Sequence, residues 1–172
     1  KRNVITTLSN EPTVVFGIDI AAYRDYTAII GLSSTGSVTH FQHFQQPWEL
    51  TQKKIEELPQ NILKVIDSTG TQTIMLSNLQ QTSQNIIGFN FSNTSVTKIM
   101  TQLIKAVEKN ELKYPQKVAD EMQVFQYKYL PSGLIKYEAQ SGYHDDTICA
   151  LAIANHHREK AISQANYKMF FR

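Results

Sequence analysis

The stretch Val14-Val15-Phe16-Gly17-Ile18-Asp19-Ile20 constrains this chain more than any other. Its β-branched and aromatic residues read as a strand buried on both faces. Near its end stands Asp19. A carboxylate on a buried strand is costly unless it is paired, hydrogen-bonded or holding a metal. Two later stretches repeat the pattern of apolar element and acid. Leu63-Lys64-Val65-Ile66-Asp67 reads as a strand ending in Asp67, and His144-Asp145-Asp146 opens a very apolar helix. We expect these places to converge on one divalent-metal site.

Length and composition narrow the setting. At 172 residues and 41% hydrophobic, the chain has enough apolar material for one globular domain with its own core. A formal net charge of +2 permits an anionic partner without demanding one. The single cysteine, Cys149, excludes an internal disulfide framework and suits a reducing compartment. No apolar run reaches the roughly 18 residues of a membrane span, so no membrane role and no signal peptide are expected. No Gly-rich phosphate loop of the Walker type occurs, which excludes a P-loop ATPase within these residues. The first residue is Lys1 rather than Met, so we expect a piece of a longer protein.

Taken in order, residues 1–12 lack period and read as a lead-in or linker. Thr13–Ile20, Thr27–Ser33 and Val38–Phe44 read as strands, the last with a less clear inner face. The polar turn Ala21–Tyr26 and the turn signal Ser34-Thr35-Gly36-Ser37 are short enough to make them an antiparallel meander. A helix from Pro47 to about Leu58 ends at Pro59 and leads to a fourth strand, Ile62–Asp67, by a connection that allows a parallel crossover. After Asp67-Ser68-Thr69-Gly70, a helix is expected over Thr71–Gln84 with Ile74, Met75 and Leu79 inward, then a fifth strand at Ile86–Phe91. Thr94–Lys109 carries Val96, Ile99, Met100, Leu103 and Val107 at helical spacing, with Lys98, Lys105 and Lys109 on the polar side. A helix at Gln116–Phe125 and a hairpin of Gln126–Tyr129 with Ile135–Glu138, turning at Pro131-Ser132-Gly133, come next. A final helix from His144 to about Lys160 leaves 161–172 as a C-terminal tail and 13–160 as the domain.

This order predicts an α/β, ribonuclease-H-like fold: a mixed five-stranded sheet, three antiparallel strands then parallel ones, with helices on both faces and a small added hairpin. In that arrangement Asp19 lies on the central strand and Asp67 ends its neighbour. Asp145 or Asp146 opens a helix packed on the same sheet. Oxygen ligands with charge near −3 suit two hard cations such as Mg²⁺ or Mn²⁺. Two such ions about 3.5–4 Å apart activate a water and stabilise the leaving oxygen of a phosphodiester. Alone, Asp67 before Ser-Thr-Gly reads as a turn former, and Asp145 or Asp146 as a helix N-cap. Asp25 is divided evenly between turn former and outer ligand. His144 is the one histidine weighed for function, and His156 and His157 read as surface residues. The three acids together, in the elements the fold requires, outweigh the separate readings.

The chain also resembles a family, the C-terminal nuclease domain of the large terminase subunit of tailed bacteriophages, from about Val14 to His157. The resemblance is carried by Gly17-Ile18-Asp19, by Arg24-Asp25-Tyr26-Thr27-Ala28 and by Ile66-Asp67-Ser68-Thr69-Gly70. Further carriers are Gly88-Phe89-Asn90-Phe91-Ser92 with Lys98, Asp120-Glu121-Met122-Gln123-Val124-Phe125, and Gly142-Tyr143-His144-Asp145-Asp146 leading into Ala150-Leu151-Ala152. The last block is the most specific. Where the family often has a further glycine after the Asp-Ser-Thr-Gly turn, Thr71-Gln72-Thr73 follows here. The resemblance implies an endonuclease that cuts concatemeric double-stranded viral DNA during packaging with two divalent metals. It carries Asp19, Asp67 and Asp146 over as core ligands with Asp145 beside them. Asp25 and His144, weighed above, are auxiliary candidates, as is Lys98 through the family match and its place at a helix start. It further implies a terminase ATPase domain outside these residues, the portal protein and the small terminase subunit as partners. The setting it implies is the cytoplasm of an infected or lysogenic bacterial host, at the procapsid portal. Two other classes stay open: a different ribonuclease-H-like enzyme such as a junction resolvase, and a non-catalytic or ATP-binding actin-like module.

Overall fold

The structure is a computed structural model describing residues 2–21, 25–131, 133 and 135–170, with side chains through Gln164. Arg24, Ser132 and Phe171–Arg172 lie outside the described residues. In chain order the elements are β1 (Val4–Ile5), β2 (Thr13–Asp19), β3 (Thr27–Ser33), β4 (Val38–Phe44) and α1 (Trp48–Glu56). They continue with β5 (Leu63–Asp67), α2 (Gln72–Thr82), β6 (Ile86–Phe89), α3 (Asn93–Glu108) and β7 (Tyr114–Pro115). The last are α4 (Gln116–Val124), β8 (Phe125–Tyr129), β9 (Ile135–Ala139) and α5 (Asp146–Phe170).

Short turns pair β2 with β3 and β3 with β4 antiparallel, and helical crossovers bring β5 and β6 in parallel. The main sheet therefore has the order β4-β3-β2-β5-β6, and β8-β9 forms a separate hairpin. Alternate residues of the central strands serve two cores. Phe16, Ile18, Ile29 and Ile66 pack with Ile55 of α1 and Met75 and Leu79 of α2. Val15, Ala28, Ile30 and Val65 face the other way, onto α3 and α5. This is the mixed sheet with helices on both faces that the order of elements predicts.

Two local features fix the helices that flank the site. At Gly17, a Cβ would stand 2.0 Å from the Ala150 carbonyl oxygen and 2.6 Å from the Ala154 nitrogen, so α5 can lie on β2 only because that position is glycine. The N-terminus of α3 is closed by a reciprocal capping box, in which Ser92 Oγ accepts from Ser95 N at 3.2 Å and Ser95 Oγ accepts from Ser92 N at 2.8 Å. The buried stripe of α3 is Ile99, Met100, Leu103 and Ala106.

Three expectations are corrected. Residues 1–12 are not a bare lead-in, because β1 pairs in parallel with β7 and the Asn3 side chain donates to the Val107 carbonyl at 2.8 Å. A two-residue strand is too short for periodicity to reveal. Ile74, expected inward, is 59% exposed. It stands five residues before Leu79, about 140° round the helix from it, and so off the inward stripe of Met75 and Leu79. Finally, α5 runs to Phe170 rather than stopping near Lys160, since no glycine or proline interrupts it.

Candidate metal centre

The registers of the sheet assemble the site. Asp19 lies opposite Ala28 on β3, and Ala28 lies opposite His43 on β4. On the other side Ile18 pairs with Ile66, so Asp19 and Asp67 are the next residues along two parallel strands. His43, Ala28, Asp19 and Asp67 thus form one rung, and residues of one rung face the same side. That side is the one covered by α5. From the close contact at Gly17, Asp19 is two strand residues further on, roughly 6.6 Å. Asp146 is four residues before Ala150, roughly 6 Å along the helix. The first turn of α5 therefore arrives level with Asp19.

Each of three acids has its own orienting donors. Asp67 Oδ1 accepts from Thr69 N at 2.8 Å and Thr69 Oγ1 at 2.6 Å, and that hydroxyl in turn accepts from Phe91 N at 2.9 Å. The turn reading of Asp67 is therefore true of one oxygen, while Oδ2 takes no hydrogen bond among the described residues. Asp145 Oδ2 accepts from Ala139 N at 3.2 Å. Asp146 Oδ2 lies 3.4 Å from His43 Nε2 and 3.7 Å from His144 Nδ1. His144 Nδ1 is also 3.0 Å from Asp25 Oδ1. The cap of α5 comes from neither Asp145 nor Asp146 but from buried Glu121, whose Oε2 accepts from Thr147 N at 3.0 Å and Thr147 Oγ1 at 2.5 Å.

The electrostatics are one-sided. Burial raises the Asp19 carboxyl well above its ordinary range, and Asp67, Asp146, Asp145 and Asp25 push it further in the same direction. Burial also raises Asp67 against the opposing Thr69 hydrogen bonds. Asp145 rises through burial despite the Ala139 N–H, with Asp146 and Glu121 adding to it. The thiol of Cys149 is raised by burial and by the same acids. Among the described residues no lysine or arginine forms an ion pair with Asp19, Asp25, Asp67, Asp145 or Asp146. Buried carboxylates without a counter-charge are unfavourable unless protons or cations arrive. Oxygen ligands with two imidazoles at the margin fit hard or borderline divalent cations. One ligand atom each from Asp25, His144 and Asp146 already lie within 4.8 Å of one another.

Of the residues singled out from sequence, Asp19, Asp25, Asp67, Asp145, Asp146 and His144 meet at this end of the sheet. Lys98 does not join them. It is exposed on α3, and its charge is felt at His156, which lies ten residues, about 15 Å, along α5 from Asp146. Residues that sequence reasoning missed are His43, Tyr26 as its stacking neighbour, and Glu121 as the helix cap. The strand pairing that carries His43 to the site is a long-range property that local spacing does not encode.

No protein-family model and no curated protein matches the chain. Solved structures do. The large terminase nuclease of thermophilic phage G20c superposes with a TM-score of 0.78 at 18% identity, covering 89% of this chain and 92% of that one. The same nuclease with bound magnesium gives 0.76 at 19% identity, over 90% and 93% of the two chains. The large terminase nuclease domain of bacteriophage SPP1 with bound manganese gives 0.58 at 14%, over 81% and 82%. This chain therefore has the ribonuclease-H-like fold of the phage large-terminase nuclease domains.

Proposed function

We propose that this chain is a metal-dependent endonuclease domain of a phage terminase large subunit, cutting concatemeric double-stranded DNA during genome packaging. The observation that carries the reading is the group of Asp19, Asp67, Asp145 and Asp146 at one end of the sheet, where burial and neighbouring acids raise the Asp19 carboxyl and no lysine or arginine among the described residues forms an ion pair with them. Structural neighbours with bound magnesium and manganese support it.

The residues divide the work by their geometry. Asp19, in the middle of the rung, would be a shared ligand for divalent ions, Mg²⁺ or Mn²⁺, two of them on this reading. Thr69 holds Oδ1 of Asp67, which would leave Oδ2 for an ion. Asp146 completes the core, with Asp145 beside it. Asp25 and His144 form the outer margin and could hold an ion together with Asp146. When bound, the ions supply an activated water and stabilise the oxygen leaving the scissile phosphodiester. Lys98 serves as a solvated lysine rather than a phosphate ligand. Contacts confined to phosphates give little sequence preference. Residues 13–160, with β1 paired on β7 and α5 running on to Phe170, make the cutting unit. The ATPase domain, portal and small subunit would bring DNA to it at the procapsid portal, in the host cytoplasm.

The test is plasmid cleavage by the isolated domain in Mg²⁺ or Mn²⁺, with and without EDTA. Nicking and linearisation with little sequence preference, abolished by EDTA, is the expected result. Cleavage indifferent to chelator would overturn the metal reading, and preference for branched over linear duplex would move the chain to the junction resolvases.

A further inference from the structure

We propose that His43 is a positioning residue of this centre, holding the Asp146 carboxylate in the orientation that an incoming divalent ion requires. The inference rests on the metal-centre reading above and extends it to a residue on the far strand of the meander.

Its register and two contacts place His43 in this role. By register it shares a rung with Asp19, with only the methyl group of buried Ala28 between them. Its Nε2 lies 3.4 Å from Asp146 Oδ2, and both side chains are only 11% exposed. Its ring stacks on Tyr26 at 4.6 Å and 20°, and Tyr26 meets His144 edge-on at 5.2 Å and 73°. Asp146 Oδ2 is therefore approached by imidazole nitrogens from two elements, with one phenol ring fixing the angle of both.

The physical need for such a residue is specific to Asp146. A carboxylate rotates in a broad two-fold well about its last torsion, so a ligand without a fixed donor must be ordered when the ion binds. Thr69 does this for Asp67 and the Ala139 N–H does it for Asp145. For Asp146 the buried partner is His43 Nε2, which in its Nε2–H tautomer donates to Oδ2 and leaves Oδ1 for the ion. Donors behind metal ligands commonly change metal affinity tenfold to a hundredfold.

The test is calorimetric Mn²⁺ binding to the parent, His43→Ala, His43→Gln and Tyr26→Ala, with melting curves in EDTA and cleavage measured across Mn²⁺ concentration. The expected result for His43→Ala is Mn²⁺ affinity about tenfold weaker, unchanged melting in EDTA, and cleavage that recovers at saturating metal. His43→Gln, whose amide nitrogen stands about where Nε2 does, should restore most of the affinity. Tyr26→Ala should show a smaller loss. Parental Mn²⁺ affinity in His43→Ala would overturn the proposal. So would a loss that His43→Gln fails to repair, which would make the imidazole a ligand in its own right. A cleavage defect that saturating Mn²⁺ leaves untouched would overturn it as well, since His43 would then act on DNA. A parent that binds Mn²⁺ but leaves DNA intact would end the nuclease reading while this measurement still stood.

Discussion

Lys64 and Asp19 are ionisable side chains on adjacent strands of the same sheet, and they are treated in opposite ways. Lys64 is fully buried on the side of α1 and α2, where its Nζ donates to the carbonyls of Pro59 at 2.9 Å and Ile62 at 3.1 Å. Asp19 faces α5, and the charged groups felt there are carboxylates. One site has closed its hydrogen bonds within the fold. The other has collected repulsion that the fold alone does not relieve. A satisfied buried charge is a structural feature, whereas a cluster of unsatisfied ones marks where something must bind.

The largest expected effect comes from removing the charge at the centre of the unsatisfied side. Asp19→Asn keeps the shape but not the charge that would offset two dications. Plasmid cleavage should drop by several orders of magnitude. Its melting temperature in EDTA should equal or exceed the parent's, because one repelling charge is gone. The Mn²⁺-induced rise in melting temperature should shrink. A folded variant that cuts like the parent would remove Asp19 from the site.

Gly17→Ala probes the contact that brings the two halves of the centre level. Its methyl group would meet backbone atoms of α5, which cannot turn aside as a flexible side chain does. Denaturant titration should give a loss of about 3 kcal/mol or more. A loss below about 1 kcal/mol would mean that α5 shifts easily, and the argument from its close packing would fail.

On the satisfied side, Lys64→Met should cost about 1–3 kcal/mol by removing the charge-assisted hydrogen bonds to the Pro59 and Ile62 carbonyls. The Mn²⁺ response should stay at the parental value. If Lys64→Met altered metal binding as Asp19→Asn does, the contrast between the two faces would be lost.

The smallest effect is on pH dependence. Asp19, Asp67 and Asp145 have carboxyls raised in the folded state, so the native chain holds protons that the unfolded chain has released. Their stabilising contribution is full below the ordinary carboxylate range and is lost as pH climbs through the raised values. The metal-free domain should therefore lose melting temperature as pH rises above the ordinary carboxylate range, and less steeply in Asp19→Asn. Saturating Mn²⁺ should reverse the trend, because the ions displace those protons. Equal slopes for parent and variant would show that Asp19 is not a principal source of the proton linkage.

Much of this was legible from residues alone. Apolar runs, Gly-containing turns and helical spacing marked every strand of the main sheet, and acids at the ends of Thr13–Asp19 and Leu63–Asp67 stood out because their neighbours are apolar. Asp146 was legible through its local block. His43 was not, because Val38–Phe44 alternates without a clear inner face. Its side is decided by pairing with β3, including the register shift between Gly31 and Leu32. Lys98 was drawn to the site by the family match and its place at a helix start, yet it is exposed on α3 and its charge is felt at His156. The pairing of β1 with β7 was hidden for a related reason, since residues 110 apart in sequence supply it.

The central claim is that the carboxylates around Asp19 form a divalent-metal centre. Anomalous diffraction from crystals of the domain soaked in Mn²⁺ tests it most directly. The account predicts anomalous peaks within bonding distance of the Asp19, Asp67 and Asp146 carboxylates, with Thr69 still on Asp67 Oδ1 and His43 still on Asp146 Oδ2. Well-diffracting soaked crystals with no peak there, or with Mn²⁺ only at surface carboxylates such as Glu138, would contradict it.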